Sequence, residues 1–455
     1  MDAWERRKPN DRNPISRSCA WAALLIFLNL LATCSWQKPD TPTRLSPDSF
    51  GALKQRVASI RGLPFKQDIS QEARSSAGND FDDEDDPRSI ARLSQAYKRI
   101  GLLPDATDLA KALADFHRLQ RLTFYDRRKD MILLAPESIK LGRALGEDDS
   151  RSAETIPMVF ALTQALQEQN FQWPSKIRLV PAEDRRLAFR AVASGDVVLT
   201  GLSYLRGNGP AQWPAQQQAV SRLVNELNTL ASGLPPMLRE RLVFPYREGS
   251  QFVQWAYAAR GLEGINALFA NPPLSTAQVM HPQKFYIRRQ NPLRIVDWGL
   301  MQQIKSAAII ERTLGEYLIQ FLLTSTHSRL EAARIASAWA GDHLSAYADG
   351  ENLITCWISA WDEETSAQEF LRAFEAVLVR QRGLRFETSA GQKNNLKADL
   401  AAGASTLLQV KGPVVLFLDG VGSARAPQLA ERIWQELETG PEPTTFPFDS
   451  AQSRR

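Results

Sequence analysis

Apolar residues recur at helical spacing from Thr155 to Phe171 (TIPMVFALTQALQEQNF), with no Gly or Pro after Pro157. The pattern predicts a helix capped by Thr155, with Pro157 in its first turn. Met158, Leu162, Ala165, Leu166 and Gln169 form one face; Phe160, Gln164, Gln167 and Phe171 form a second. The same period predicts helices over 50–65, 182–205, 212–230, 252–269, 309–330 and 364–380, and two helices within 90–122 divided at Gly101–Pro104. Alternating or unbroken apolar runs predict strands near 345–361 and at Gly412–Leu418 (GPVVLFL), the latter a central strand. Helices outnumber strands, so the expected class is helix-rich α+β with a C-terminal α/β region.

The amino terminus is of another kind. Residues 1–17 carry Arg6, Arg7, Lys8, Arg12 and Arg17 and precede the apolar run Cys19–Thr33. A basic start followed by a short apolar run is a signal segment. Leu31-Ala32-Thr33-Cys34 resembles the bacterial lipobox, which implies lipid attachment at Cys34; retention as a single-pass signal anchor is the alternative. Either outcome places the body in the bacterial envelope, outside the cytoplasm. Residues 35–48, with Pro39, Pro42 and Pro47, read as an extended tether. Loss of the first 33 residues removes five positive and three negative charges, lowering the net charge from +4 to +2, so no nucleic-acid partner is expected. Cys356 then remains as the sole cysteine besides Cys34, set among apolar residues, and reads as a small buried hydrophobe.

The helix at 155–171 carries the line FALTQALQEQNF. It resembles the active helix of a bacterial secreted or lipid-anchored family of gluzincin-type zinc metallopeptidases, typically HELTHALQDQHF. Leu162, Thr163, Ala165, Leu166, Gln167, Gln169 and Phe171 match. Two histidines one helical turn apart aim two imidazoles at one zinc, and the intervening Glu deprotonates the bound water. Here Phe160 and Gln164 stand at the histidine positions and Ala161 at the glutamate. The family's third ligand comes from a line resembling RALVEGDA. In this chain it is RAVASGDVV, so Ser194 replaces the ligand while Gly195 and Asp196 persist. Further family-like lines are IRGLPF (60–65), FYDRRKDMILL (124–134), FPYREGSQFV (244–253), NPPLSTAQVMHPQKF (271–285), LGEYL (314–318), AWAGDHLSAY (338–347) and WISAWDEETSAQEF (357–370).

The resemblance implies a zincin-like core over 49–300 that has lost its zinc ligands and base; the run of strands and helices reads as an α/β region over 301–437, and the Pro-rich polar end as a disordered tail over 438–455. Phe160, Gln164 and Ser194 are expected to converge, with Phe160 filling the ion cavity against Phe171 or the helix bearing Ser194. No cofactor, metal or catalytic residue is expected; the implied function is a non-catalytic, peptide- or partner-binding or scaffold lipoprotein. The alternative is a hydrolase with a relocated site, using Asp184, Asp196 or Asp342, or a metal recruited by His281 and His343. Two further features carry less. The acidic run Asp80–Asp86 lacks the ligand spacing of an EF-hand and reads as a solvated loop. Gly420-Val421-Gly422 after an apolar strand lacks the Lys-Ser/Thr of a phosphate-binding loop and reads as an ordinary strand-to-helix turn.

Overall fold

The computed structural model describes residues 44–73, 87–146, 150–178, 180, 182–207, 213–304, 308–350, 352–388 and 394–441. The leader, Cys34, the acidic run Asp80–Asp86 and the residues after 441 lie outside them. Helix α1 (Pro47–Arg61) starts where Ser46 Oγ accepts the Ser49 amide and Pro47 needs no donor, and it ends at Gly62 in the left-handed region. A three-stranded sheet follows, in the order β1-β3-β2. Strand β1 (Ser70–Ala73) runs parallel to β3 (Met131–Leu134), and β2 (Thr123–Asp126) forms a hairpin with β3. Between β1 and β2 lie the two expected helices, α2 (Pro87–Arg99) and α3 (Leu109–Gln120).

The centre of the helical layer comprises α4 (Ser138–Gly146), α5 (Ser150–Phe171), the short α6 (Trp173–Arg178), α7 (Glu183–Arg206), α8 (Trp213–Leu230) and α9 (Pro236–Ala270). Helix α5 begins before Thr155, so Pro157 lies inside it rather than in its first turn. Helix α9 is longer than its apolar period suggested and breaks at Arg260 and Gly261, where Gly261 takes a φ of 60°. Helices α7 and α9 cross closely: a methyl on Gly195 would collide with the Gly249 carbonyl, and one on Gly249 with the Ala191 carbonyl. That contact is the physical reason for glycine beside Ser194. Two short helices, α10 (Thr276–Met280) and α11 (Gln283–Tyr286), lead to β4 (Leu293–Asp297) and α12 (Trp298–Ile304).

The C-terminal part is an antiparallel seven-stranded sheet in the order β5-β6-β7-β11-β10-β9-β8. Its strands are β5 (Ile310–Arg312), β6 (Trp339–Asp349), β7 (Asn352–Trp361), β8 (Glu387–Thr388), β9 (Asn395–Asp399), β10 (Ala404–Lys411) and β11 (Val414–Gly422). The expected strand at 412–418 is β11, and it is central. The expected helix over 309–330 is instead β5, α13 (Gly315–Leu323) and the start of α14 (Arg329–Ala336). Gly315, at a φ of 74°, turns the chain out of the strand, and a Ser328–Glu331 capping box starts α14 afresh.

Helix α15 (Glu364–Arg382) packs Phe370 and Phe374 edge-on against Trp357. Helices α12 and α16 (Ala426–Gln435) share a second cluster with Ile354, Ile358 and Leu416. The tail expected to be unstructured begins with a strand, β12 (Leu437–Pro441), paired with β4. One hydrophobic cluster runs from α2, α7 and α9 into α13, α15 and the sheet. The molecule is helix-rich α+β, and among the described residues no helix is long and apolar enough to cross a membrane.

Candidate functional site

Helices α5 and α7 pack antiparallel, because Phe160 meets Gly201 while Gln167 meets Ala193 and Asp196. Phe160 is buried, and a Cβ placed on Gly201 would lie 2.7 Å from its Cε1. The ring therefore packs on the helix that bears Ser194. Phe171 does not join it: that ring stacks on Phe269, with centroids 4.6 Å apart. Ala161 turns to another cluster, with Ile132, Leu134 and Met158, against the small sheet. Gln164 is half-buried and donates from Nε2 to the Thr123 carbonyl of β2 at 3.3 Å. Ser194, also half-buried, stands seven residues before Gly201, about 10 Å along the helix axis. A phenyl ring and a methyl offer no lone pair, and the Gln164 amide oxygen and Ser194 hydroxyl are poor donors to zinc, so these residues do not fit a zinc ion.

One turn beyond Gln164, α5 carries polar chemistry that is fully enclosed. Gln167 Nε2 donates to the Ala193 carbonyl at 3.0 Å and to Asp196 Oδ2 at 2.9 Å. The other Asp196 oxygen pairs with Arg61 Nε at 2.7 Å, and the two side chains are 0% and 1% exposed. The Nε and both Nη groups of Arg61 are buried without a hydrogen-bond acceptor among the described residues, so its contact with Asp196 is a close charge pair rather than an aligned hydrogen bond. Arg61 and Asp196 are among the residues around a cavity of about 210 Å³ between α1, α7 and α9. Thr200, Ser203 and Tyr257 add hydroxyls to its wall, while Leu199 and Leu262 make it partly apolar.

Arg61, Gln167 and Asp196 all fall in the sequence lines, Arg61 in IRGLPF, but nothing in those lines pairs Arg61 with Asp196. The signal was present: Leu53, Val57 and Arg61 stand four residues apart on the buried face of α1. A cation on such a stripe requires a buried partner.

The alternative carboxylates are engaged in holding the fold. Asp184 accepts the Thr276 amide at 3.1 Å and the Thr276 hydroxyl at 2.5 Å. Burial pushes its pKa well above the carboxylate range, and Asp342 and Glu316 add repulsion. Asp342 accepts the Leu314 and Gly315 amides at 2.9 Å and the Trp339 and Trp357 indoles at 3.0 Å. Its pKa is also raised by burial, against those four hydrogen bonds. The family-like lines at 271–285, 314–318, 338–347 and 357–370 thus meet in one polar network that ties α7, α10 and α13 to the sheet.

The histidines do not converge on a shared partner. His281 Nε2 lies 2.5 Å from Glu316, and His343 Nε2 lies 3.9 Å from Asp297. Among the described residues no group of three or more His, Cys, Asp or Glu side chains is placed to hold a metal. Cys356 is buried, which pushes its thiol well above the usual range and away from nucleophilic chemistry. Gly420-Val421-Gly422 belongs to β11, paired with β10, and Arg99 packs over Gly420.

Residues 303–429, from α12 through the sheet into α16, match the model of a family described as "Domain of unknown function (DUF8575)". No curated protein and no solved structure matches the chain.

Proposed function

We infer that this protein is a zinc-peptidase-like envelope lipoprotein without a hydrolytic centre, serving as a peptide- or partner-binding scaffold. In this reading α5, α7 and the β2–β3 hairpin are the remains of a zincin-like core. The carrying observation is the closed packing of Phe160 on Gly201, where the first ligand of such a centre would stand. Water activation needs a metal or a base at that point, and Phe160, Ala161 and Ser194 supply neither. Gln164 supports the same reading, since its amide ties α5 to the carbonyl of β2. The stabilising contacts have replaced the catalytic ones, and the helix pair is retained as architecture.

The test is a mixture of peptides of varied sequence, incubated with the purified body in the presence of zinc and read by mass spectrometry. The peptides are expected to remain intact. Chelator-sensitive cleavage that persists after the protein is repurified would overturn the reading.

A further inference from the structure

Large apolar side chains grouped in solvent on an otherwise well-buried protein mark a surface that something covers. We propose that the tip formed by α11 and the turn after it, with the adjoining face of α9, docks on an anionic lipid bilayer. Ile287, Tyr286 and Trp255 enter the headgroup layer, and Arg288 meets the lipid phosphates. This goes beyond the scaffold reading and does not rest on lipidation of Cys34.

Phe252 of α9 is buried against α11, its ring centroid 5.3 Å from that of Phe285 and 5.4 Å from that of Tyr286. Trp255 follows Phe252 by three residues, so the two leave α9 from neighbouring positions of one face, and Trp255 is 51% exposed. The exposed positions of α9 around it, Gln251, Ala258 and Ala259, carry no charge. Ile287, at the end of α11, is 79% exposed. That exposure is built into the turn. The Gln290 amide donates to the Lys284 carbonyl at 2.8 Å, and Gln278 Nε2 donates to the Gln290 carbonyl at 2.7 Å. Arg289 donates to the Pro272 carbonyl at 3.0 Å and lies over the Phe285 ring. With the backbone pinned on both sides of them, Ile287 and Arg288 are held outward.

Charge selects the partner. From Pro272 to Val296 the chain holds Lys284, Arg288, Arg289 and Arg294 and no Asp or Glu. Glu316 and Asp362 face Lys284. Arg288 and Arg294 are exposed, and no carboxylate among the described residues pairs with them. The tip is therefore apolar at its end and positive around it. Trp and Tyr suit a headgroup layer because each carries an apolar ring with a polar handle. Arginine keeps its stem on the apolar side while its guanidinium binds phosphate. Three side chains are a small part of the ~800 Å² per partner that a specific protein interface covers. Binding to a bilayer surface scales instead with the apolar area inserted plus the attraction to anionic lipid, and this tip supplies both.

The experiment is co-sedimentation of the unlipidated body, whose compact unit spans Pro42–Arg455, with vesicles of phosphatidylglycerol and phosphatidylcholine in equal parts, compared with phosphatidylcholine alone. Binding to the anionic vesicles is expected, roughly tenfold or more tighter than to the neutral ones and weakened by salt. Arg288→Ser should weaken it roughly fivefold and Ile287→Ser roughly tenfold; the double variant should show no measurable binding. Both side chains are exposed, so the variants should unfold at the wild-type temperature, which separates lost docking from lost folding. Leu330→Ser removes an equally exposed apolar side chain on α14 and should change nothing. No binding to anionic vesicles overturns the proposal, as does equal binding to neutral ones. Binding undiminished in the double variant, or weakened as much by Leu330→Ser, places the contact elsewhere and also overturns it. A dimer in gel filtration that Ile287→Ser dissolves would assign the tip to a second copy of the chain and overturn it as well.

Discussion

Phe160→Ala followed by Gly201→Ala tests whether the old metal position is packed shut. Burying a phenylalanine side chain contributes ~1.5–3 kcal/mol by transfer alone, and the void left behind brings Phe→Ala losses to ~3–5 kcal/mol. The upper half of that range is expected, because the ring rests on Gly201, which has no side chain to relax into the space. For one compact unit spanning Pro42–Arg455, an unfolding entropy of about 2.1 cal/mol/K per residue makes ~4 kcal/mol a drop of about 5 °C in Tm.

Gly201→Ala alone places a methyl 2.7 Å from Cε1 of the ring. Overpacking costs ~1–3 kcal/mol and exceeds the ~1 kcal/mol gained in helix propensity. In the Phe160→Ala background the closest clash is gone and only Leu145 Cδ2, 3.3 Å away, must yield, so the same change should cost much less or stabilise. The coupling between the two sites should then be about 2 kcal/mol. Urea unfolding of the four proteins, followed by circular dichroism, measures it. An unchanged midpoint for Phe160→Ala would mean that the ring is solvated and the cleft open. An equal effect of Gly201→Ala in both backgrounds, with no coupling, would show that ring and helix do not touch.

Asp196→Asn should destabilise by ~3–5 kcal/mol in urea titration, because Arg61 stays charged at 1% exposure without its counter-charge. Burial opposes ionisation of Glu183, but Arg241 and Arg312 outweigh it and hold its pKa at about 2, below the ordinary 4.5. This group therefore contributes stability above pH 4.5 that is lost as pH falls toward 2, roughly 3 kcal/mol in all. Glu183→Gln should accordingly flatten the loss of unfolding midpoint between pH 5 and 3, to an extent measured against wild type. Asp184, with a raised pKa, acts in the opposite direction and loses its contribution as pH rises through the folded value. Cys34→Ala should release the protein from membranes in cell fractionation, and the wild type should carry an acyl chain at Cys34 by mass spectrometry; an intact leader without one would mark a signal anchor.

Much of the helical layer was legible because its periods are long and its punctuation strong. Gly101–Pro104 separates α2 from α3, and the lines around Phe160 and Ser194 fall on α5 and α7. The failures lie where a distant partner sets the local fold. Residues 309–330 have a helical apolar period, yet Asp342, from β6, takes the Leu314 and Gly315 amides and turns the chain there. Leu437–Pro441 has no period of its own and becomes a strand because β4 offers it an edge. The Arg61–Asp196 pair joins residues in separate helices, so neither line alone announces it, although an arginine on the stripe of Leu53 and Val57 marks one half.

Equilibrium dialysis of the purified body against excess zinc, followed by gel filtration and elemental analysis, tests the loss of the hydrolytic centre most directly. With Phe160, Ala161, Gln164 and Ser194 in place of ligands and base, the protein should retain well under one equivalent, and its Tm should be the same with and without chelator. One equivalent of retained zinc, with a Tm that falls when a chelator removes it, would contradict the account.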